Sequence, residues 1–396
     1  MSKPVKHCPI LLAYPFRPFF LLTGVYGALI VTAWVAFLFL SLPLPVDVNP
    51  SQWHGHEMLF GMVPAAIAGF LLTAMTNWTG APPLQGNALL GLLLAWLAGR
   101  FAMWLSGYLA AGLVAILDLA FLPLLAGYAA SVLLRYGSRH NLVLVGLLTL
   151  LFLANLAMHL DFAGLMPGLG RLGEITALNL IAMIMVVIGG RIIPAFTANW
   201  LRSQGRNPTV VKRSETLDHC ALIATALMIP VDLVTGYPAM SGLVALVAAL
   251  ANGLRISRWA GWRTLDEPLL WILHIGYLWI VAALLIKGLV PFVDGLAETA
   301  WFHAMGTGAI GTLILGVMTR VAMGHTGRPL RLPRYAIGIY VGVLAAGIAR
   351  LLAAIGVTEY RLGITFSAIA WAVAFILFVL IYWPILSRPR ADGRPG

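Results

Sequence analysis

The chain has 396 residues, of which 61% are hydrophobic and only 10% charged, with a mean hydropathy of +0.92. Soluble domains carry about 25% charged residues, so this composition excludes a string of soluble domains. The net charge of +11 suggests nucleic acid as a partner, but the placement of the basic residues along the chain gives a plainer account and leaves nucleic acid no role.

Apolar stretches of roughly 20 residues, long enough to cross a hydrocarbon core as helices, recur along the whole chain. A helix also satisfies its own backbone in lipid. The spans are predicted at 19–42, 53–75, 87–106, 108–134, 141–160, 174–196, 217–235, 239–257, 268–287, 300–324, 335–355 and 362–385. No polar stretch between them is long enough for a soluble domain. The fold class is therefore all-α, a polytopic bundle of twelve transmembrane helices forming a single integral membrane domain over residues 1–396. The first span is too long for a signal-peptide core and has no small-residue cleavage site. Alternating the loops puts 18 of the 25 Lys and Arg on the side of the termini, and only Arg171, Lys287 and Arg361 on the other. The positive-inside bias then places both termini in the cytoplasm. Cys8 and Cys220 fall near that side, where thiols stay reduced, and form no disulfide framework.

Span two opens with Asn49-Pro50-Ser51-Gln52-Trp53-His54-Gly55-His56-Glu57. Asn49 as N-cap and Pro50 at the first helical position suit a helix start. Residues two apart on a helix point about 200° from one another, so His54 and His56 do not readily grip one metal. One is expected as an axial ligand, the other at a second site or in a hydrogen bond. Glu57, three residues after His54, is expected to orient its imidazole. Plain capping at the membrane interface is the bland alternative.

Span five ends at His159 beside Asp161, which reads as a solvated histidine. Pro194 in span six is expected to kink or end that helix. Span ten opens with Trp301-Phe302-His303-Ala304-Met305-Gly306-Thr307-Gly308, whose small residues leave room for a flat ligand or for a neighbouring helix. The starts of spans two and ten lie at the same end of the bundle, so His54 or His56 can face His303 across a bound metal or haem. Arg100 and Arg350, near that end of spans three and eleven, are expected either to pair with haem propionates or to snorkel. A second group toward the other end comprises Arg191, His219, His274, Arg320 and His325. At 1.5 Å per residue, His303 and Arg320 are about 25 Å apart, so the two groups cannot share one ligand. The inner group suits a proton or anion path, a second metal site, or ordinary interfacial contacts. With no CxxCH motif or thiol pair, any haem is b-type and non-covalent.

Several stretches together resemble the NnrS family of bacterial membrane proteins. They are Tyr14-Pro15-Phe16-Arg17-Pro18-Phe19-Phe20, Trp53-His54-Gly55-His56-Glu57-Met58, Ala68-Gly69-Phe70-Leu71-Leu72-Thr73-Ala74 with Asn77-Trp78-Thr79-Gly80, Gly190-Arg191-Ile192-Ile193-Pro194-Ala195-Phe196-Thr197, and the run from Gly316 to Leu330. The resemblance implies a bacterial inner-membrane protein associated with haem and copper, with denitrification and with tolerance of nitric oxide. Nitric oxide or a related nitrogen oxide is the ligand it implies, with electrons for any turnover supplied by a quinol or a partner redox protein. The architecture also resembles subunit one of the haem-copper oxidases, but span six has no histidine and span seven lacks an adjacent histidine pair, which puts an oxidase-type binuclear centre in doubt. The competing class is a secondary transporter of a small anion or metal that uses Arg191, Arg320 and Arg350 as charge partners.

Overall fold

The computed structural model describes residues 9–234 and 238–394; Lys3, Lys6 and Cys8 lie outside them. It has twelve helices long and apolar enough to cross a membrane, with no strand among the described residues. These are α1 Phe16–Leu40, α2 Pro50–Thr79, α3 Gly86–Trp104, α4 Ala111–Arg135, α5 Arg139–Phe162, α6 Leu169–Ser203, α7 Glu215–Val234, α8 Pro238–Ser257, α9 Pro268–Leu289, α10 Thr299–His325, α11 Ile337–Ala354 and α12 Tyr360–Leu386. Every predicted span has its helix, with ends displaced by a few residues. The largest departure is α6, which runs on through Pro194 for 35 residues.

Consecutive helices pack against each other, and α1 closes the ring against α12. Arg17 fixes that closure: it is fully buried, and its Nη1 donates to the carbonyl oxygens of Leu386 and Arg388 at 2.6 and 2.9 Å. The guanidinium thus satisfies carbonyls that the end of a helix leaves without intrahelical donors.

Inside the ring stand α2, α6 and α10, every fourth helix. They bury 78%, 67% and 72% of their most apolar eighteen-residue stretch, more than any other span. Asn49 caps α2 as expected, its side-chain oxygen accepting from Ser51 N at 2.9 Å and Gln52 N at 3.4 Å. Two of the inner helices are not regular. Glu57–Met62 in α2 and Ala304–Ile310 in α10 are π-helical, and each follows directly on the histidines. Such turns insert an extra residue, re-aim the side chains before them, and concentrate at functional sites.

Three basic residues assigned to loops or helix edges are instead buried: Arg17, Arg255 and Lys287. Arg255 bonds Asp218, Tyr277 and the Val186 carbonyl. Lys287 sits 2.5 Å from Asp232 and 2.8 Å from Asn179. Each is kept in an apolar bundle by a carboxylate or carbonyl partner that the loop assignment overlooked.

Candidate functional site: two polar centres on opposite sides of one helix

The helical rotation between His54 and His56 sends them to different places. His54 lines a cavity of about 400 Å³ between α2, α6, α10 and the outer helices α1, α11 and α12. His303 lines the same cavity, with Arg350, Trp34, Trp371 and Tyr360. The size falls within the usual range for small-molecule pockets, about 300–1,000 Å³.

His303 Nδ1 lies 2.7 Å from the carbonyl oxygen of Thr299, four residues earlier. A carbonyl only accepts, so the proton sits on Nδ1 and the Nε2 lone pair is left free, which is the tautomer of a histidine ready to ligate. His54 stacks on Trp34 with ring centroids 4.8 Å apart and planes at 11°, and its buried Nδ1 has no hydrogen-bond partner among the described residues. Nη1 of Arg350 is likewise buried and unpartnered. The other arginine of the cavity, Arg171, is engaged by Glu174 at 2.9 Å and Glu298 at 2.5 Å. Arg350 is therefore the cation of this cavity with no carboxylate of its own among the described residues.

The small residues of α10 divide between the two roles foreseen for them. Gly306 lines the cavity and has nothing within 4 Å of where a Cβ would stand, whereas a Cβ at Gly308 would meet Trp279 at 2.5 Å. Further along the same inner helices lies a purely apolar cavity of about 100 Å³, lined by residues including Phe20, Ala66, Ile184 and Leu313.

His56 faces the other way and is fully buried. Its Nδ1 lies 2.9 Å from Glu57 Oε1, and its Nε2 lies 3.1 Å from Asp118 Oδ2 and 2.8 Å from Asn155 Oδ1. His159 Nε2 approaches the same Asp118 oxygen at 2.8 Å. Arg100 bridges the two carboxylates, with Nη1 2.5 Å from Glu57 Oε1 and Nη2 bonded to Asp118 Oδ1. Tyr26 donates to Glu57 Oε2 and accepts from Trp104 Nε1 at 2.9 Å. Gly61 makes room for this arrangement, because a Cβ there would stand 2.5 Å from Arg100 Nη1.

Three expectations are corrected here. Arg100 does not reach the His54 cavity, because Glu57 and Asp118 hold it at the second centre. Glu57 orients His56 rather than His54, its Oε1 lying 2.9 Å from His56 Nδ1. His159 is not solvated: it is 5% exposed and bonded to Asp118. Asp118 and Asn155 were missed. For Asp118 the available signal was an ionisable residue inside an apolar span, costly there unless partnered; Asn155 offered only an uncharged polar side chain in such a span.

The residues of the predicted inner group face separate neighbours. His219 is exposed, His274 bonds Thr197 at 3.0 Å, and His325 packs on Phe16 with ring centroids 5.7 Å apart. Arg191 is exposed and bonds Asn141 at 2.6 Å, while Arg320 lies over the Phe196 ring at 4.3 Å.

These features define an all-helical, multi-pass membrane protein with a histidine-lined cavity between its inner helices. The chain belongs to the NnrS family: residues 10–390 match the family described as NnrS protein. No curated protein matches the chain.

Proposed function

We propose that the chain is a haem-bearing protein of the bacterial inner membrane, one integral domain with cytoplasmic termini, that handles nitric oxide or a related nitrogen oxide and so contributes to nitrosative-stress tolerance or denitrification. The observation that carries the reading is the cavity facing His303 and His54, with polar atoms left unpartnered in its wall. A buried polar group without a partner costs about 1–3 kcal/mol. The cavity has two such atoms, His54 Nδ1 and Arg350 Nη1, and a bound group offering an electrophilic centre and a carboxylate would relieve both.

The donor set fits a non-covalently held haem. His303 would ligate through Nε2, with Thr299 fixing its ring. His54, its ring stacked on Trp34, would be the other candidate ligand. Arg350 would meet a propionate, since guanidinium binds carboxylate in a fixed fork. Trp34 and Trp371 give the cavity flat apolar walls, and Gly306 leaves it open where a side chain would intrude. Bound there, haem supplies an iron whose ligand affinity is tuned by axial ligation and pocket polarity. The apolar cavity along the same helices suits a small uncharged ligand. A quinol or a partner redox protein is the electron donor that turnover requires.

Purified protein expressed with ample haem tests the reading through its reduced optical spectrum. Bound haem whose bands shift on adding nitric oxide supports it; a haem-free preparation refutes it. The second reading, transport of a small anion, draws on the unpaired guanidinium of Arg350, and uptake into proteoliposomes by cofactor-free protein would favour it.

A further inference from the structure

We infer that the apolar cavity between the inner helices is a binding site for one small uncharged gas, and the antechamber through which that gas reaches the histidine cavity while ions are held back. The cavity measures about 100 Å³ and is lined by α2, α6 and α10, with Phe20 of α1 and Leu273 of α9. Every lining residue is Phe, Val, Ala, Ile, Leu, Met or Gly, and the helical backbone around it keeps its own hydrogen bonds. A buried water needs two to four polar partners, and apolar cavities of about 150 Å³ stay dry and take up xenon or benzene. This smaller one suits xenon or a diatomic gas.

The two cavities are lined by the same faces of the same three helices. On α6 the outer cavity takes Arg171, Glu174 and Leu178, and the apolar one continues with Ile181, Met185, Ile188 and Ile192. Steps of three and four residues keep to one side of a helix, and here they run on without a break. The step from one cavity to the other is Leu59 to Val63 on α2, Leu178 to Ile181 on α6 and Thr307 to Ile310 on α10. Each is about 4.5–6 Å at 1.5 Å per residue. The π-helical turns of α2 and α10 end at this same level, at Met62 and Ile310. One helical turn of side chains therefore divides the two spaces, with the buried Leu59 and Leu178 on its outer side.

The chemistry changes at that divide. Outside it stand His54, His303, Glu174 and Arg350, and beyond it no polar side chain lines the wall. An ion entering the apolar cavity would give up its hydration with nothing to replace it, which costs far more than burying a neutral molecule. An uncharged gas gives up almost nothing. The apolar cavity thus selects nitric oxide over nitrite by charge alone, and an anion reaches the histidines only through the polar wall. Gas binding stands on the cavity by itself; the antechamber role rests on the haem reading of the histidine cavity.

Crystals of haem-free, full-length protein held under xenon pressure test the gas site. A xenon peak in the anomalous difference map is expected between Ala66, Ile184 and Leu313. It should be lost in Ala66→Phe and kept in the double variant His54→Ala/His303→Ala. Wild type with no xenon there would overturn the proposal; if Ala66→Phe does not fold, the position of the wild-type peak decides alone. The antechamber is read on haem-loaded protein as the ratio of two association rates, nitric oxide with the ferrous form and nitrite with the ferric form. Leu178→Ala thins the divide and should raise that ratio several-fold, whereas Ala66→Phe should lower it. A ratio unmoved by both variants would overturn the antechamber. Protein that takes up xenon but no haem would refute the haem reading and the antechamber with it, and leave the gas site standing.

Discussion

Arg100 and Arg350 are both arginines inside the membrane at the same end of the bundle, yet the structure predicts opposite responses to their removal. Arg100 makes one charge-assisted bond to each of Glu57 and Asp118. Hydrogen bonds to charged groups contribute about 1.5–3 kcal/mol each, so two amount to about 3–6 kcal/mol. Breaking a buried pair by removing one partner gives a similar figure, about 3–5 kcal/mol. Arg100→Met should therefore lower the folding equilibrium by about two to four powers of ten, at 1.4 kcal/mol for each. Arg100→Lys should recover part of this, because a single ammonium is poorly shaped to bridge both carboxylates. Arg350 has no ion pair among the described residues, and its Nη1 is unpartnered. Arg350→Met removes a buried polar group and leaves none behind, so the change should stay within about 1 kcal/mol and can be stabilising. Equilibrium unfolding in mixed detergent, followed by tryptophan fluorescence on haem-free protein, measures both without a contribution from ligand binding. Equal losses, or a larger loss for Arg350→Met, would refute the assignment of Arg100 to the charge network.

Gly61→Ala should destabilise by about 1–3 kcal/mol, since its Cβ would overlap Arg100 Nη1 in a packed site. Gly306→Ala, in open space, should leave unfolding unchanged and alter only the haem absorption bands. For the buried pair Asp232–Lys287, at 2.5 Å, Asp232→Asn and Lys287→Met should each cost about 3–5 kcal/mol; a double mutant as unstable as the sum of the singles would show that the pair is not coupled. Filling the apolar cavity with Ala66→Phe should slow nitric oxide association in flash photolysis while the resting haem spectrum stays the same; an unchanged rate would exclude that cavity as the gas route.

The twelve spans were legible because each needs only local information, a run of apolar residues of membrane-crossing length. The Asn49 cap was legible for the same reason. The His54 cavity was half legible: helix order alone puts the starts of spans two and ten at one end, and rotation along a helix separates His54 from His56. The second centre was not. Asp118, Asn155 and His159 come from two different helices, and their convergence on His56 depends on how α2, α4 and α5 pack. His159 misled because Asp161 follows it, which suggested a wet loop. The π-helical turns could not be foreseen either. Nothing local in Glu57–Met62 or Ala304–Ile310 marks an extra residue, and the turns arise where the inner helices accommodate the cavity and the charge network.

The most direct test of the central claim is the haem content and reduced spectrum of His303→Ala, measured beside His159→Ala and His219→Ala. Haem should be lost or become five-coordinate in His303→Ala, while the other two keep the wild-type spectrum and stoichiometry. Wild-type haem in His303→Ala, with loss in His219→Ala, would place the site at the opposite end of the bundle and contradict the account.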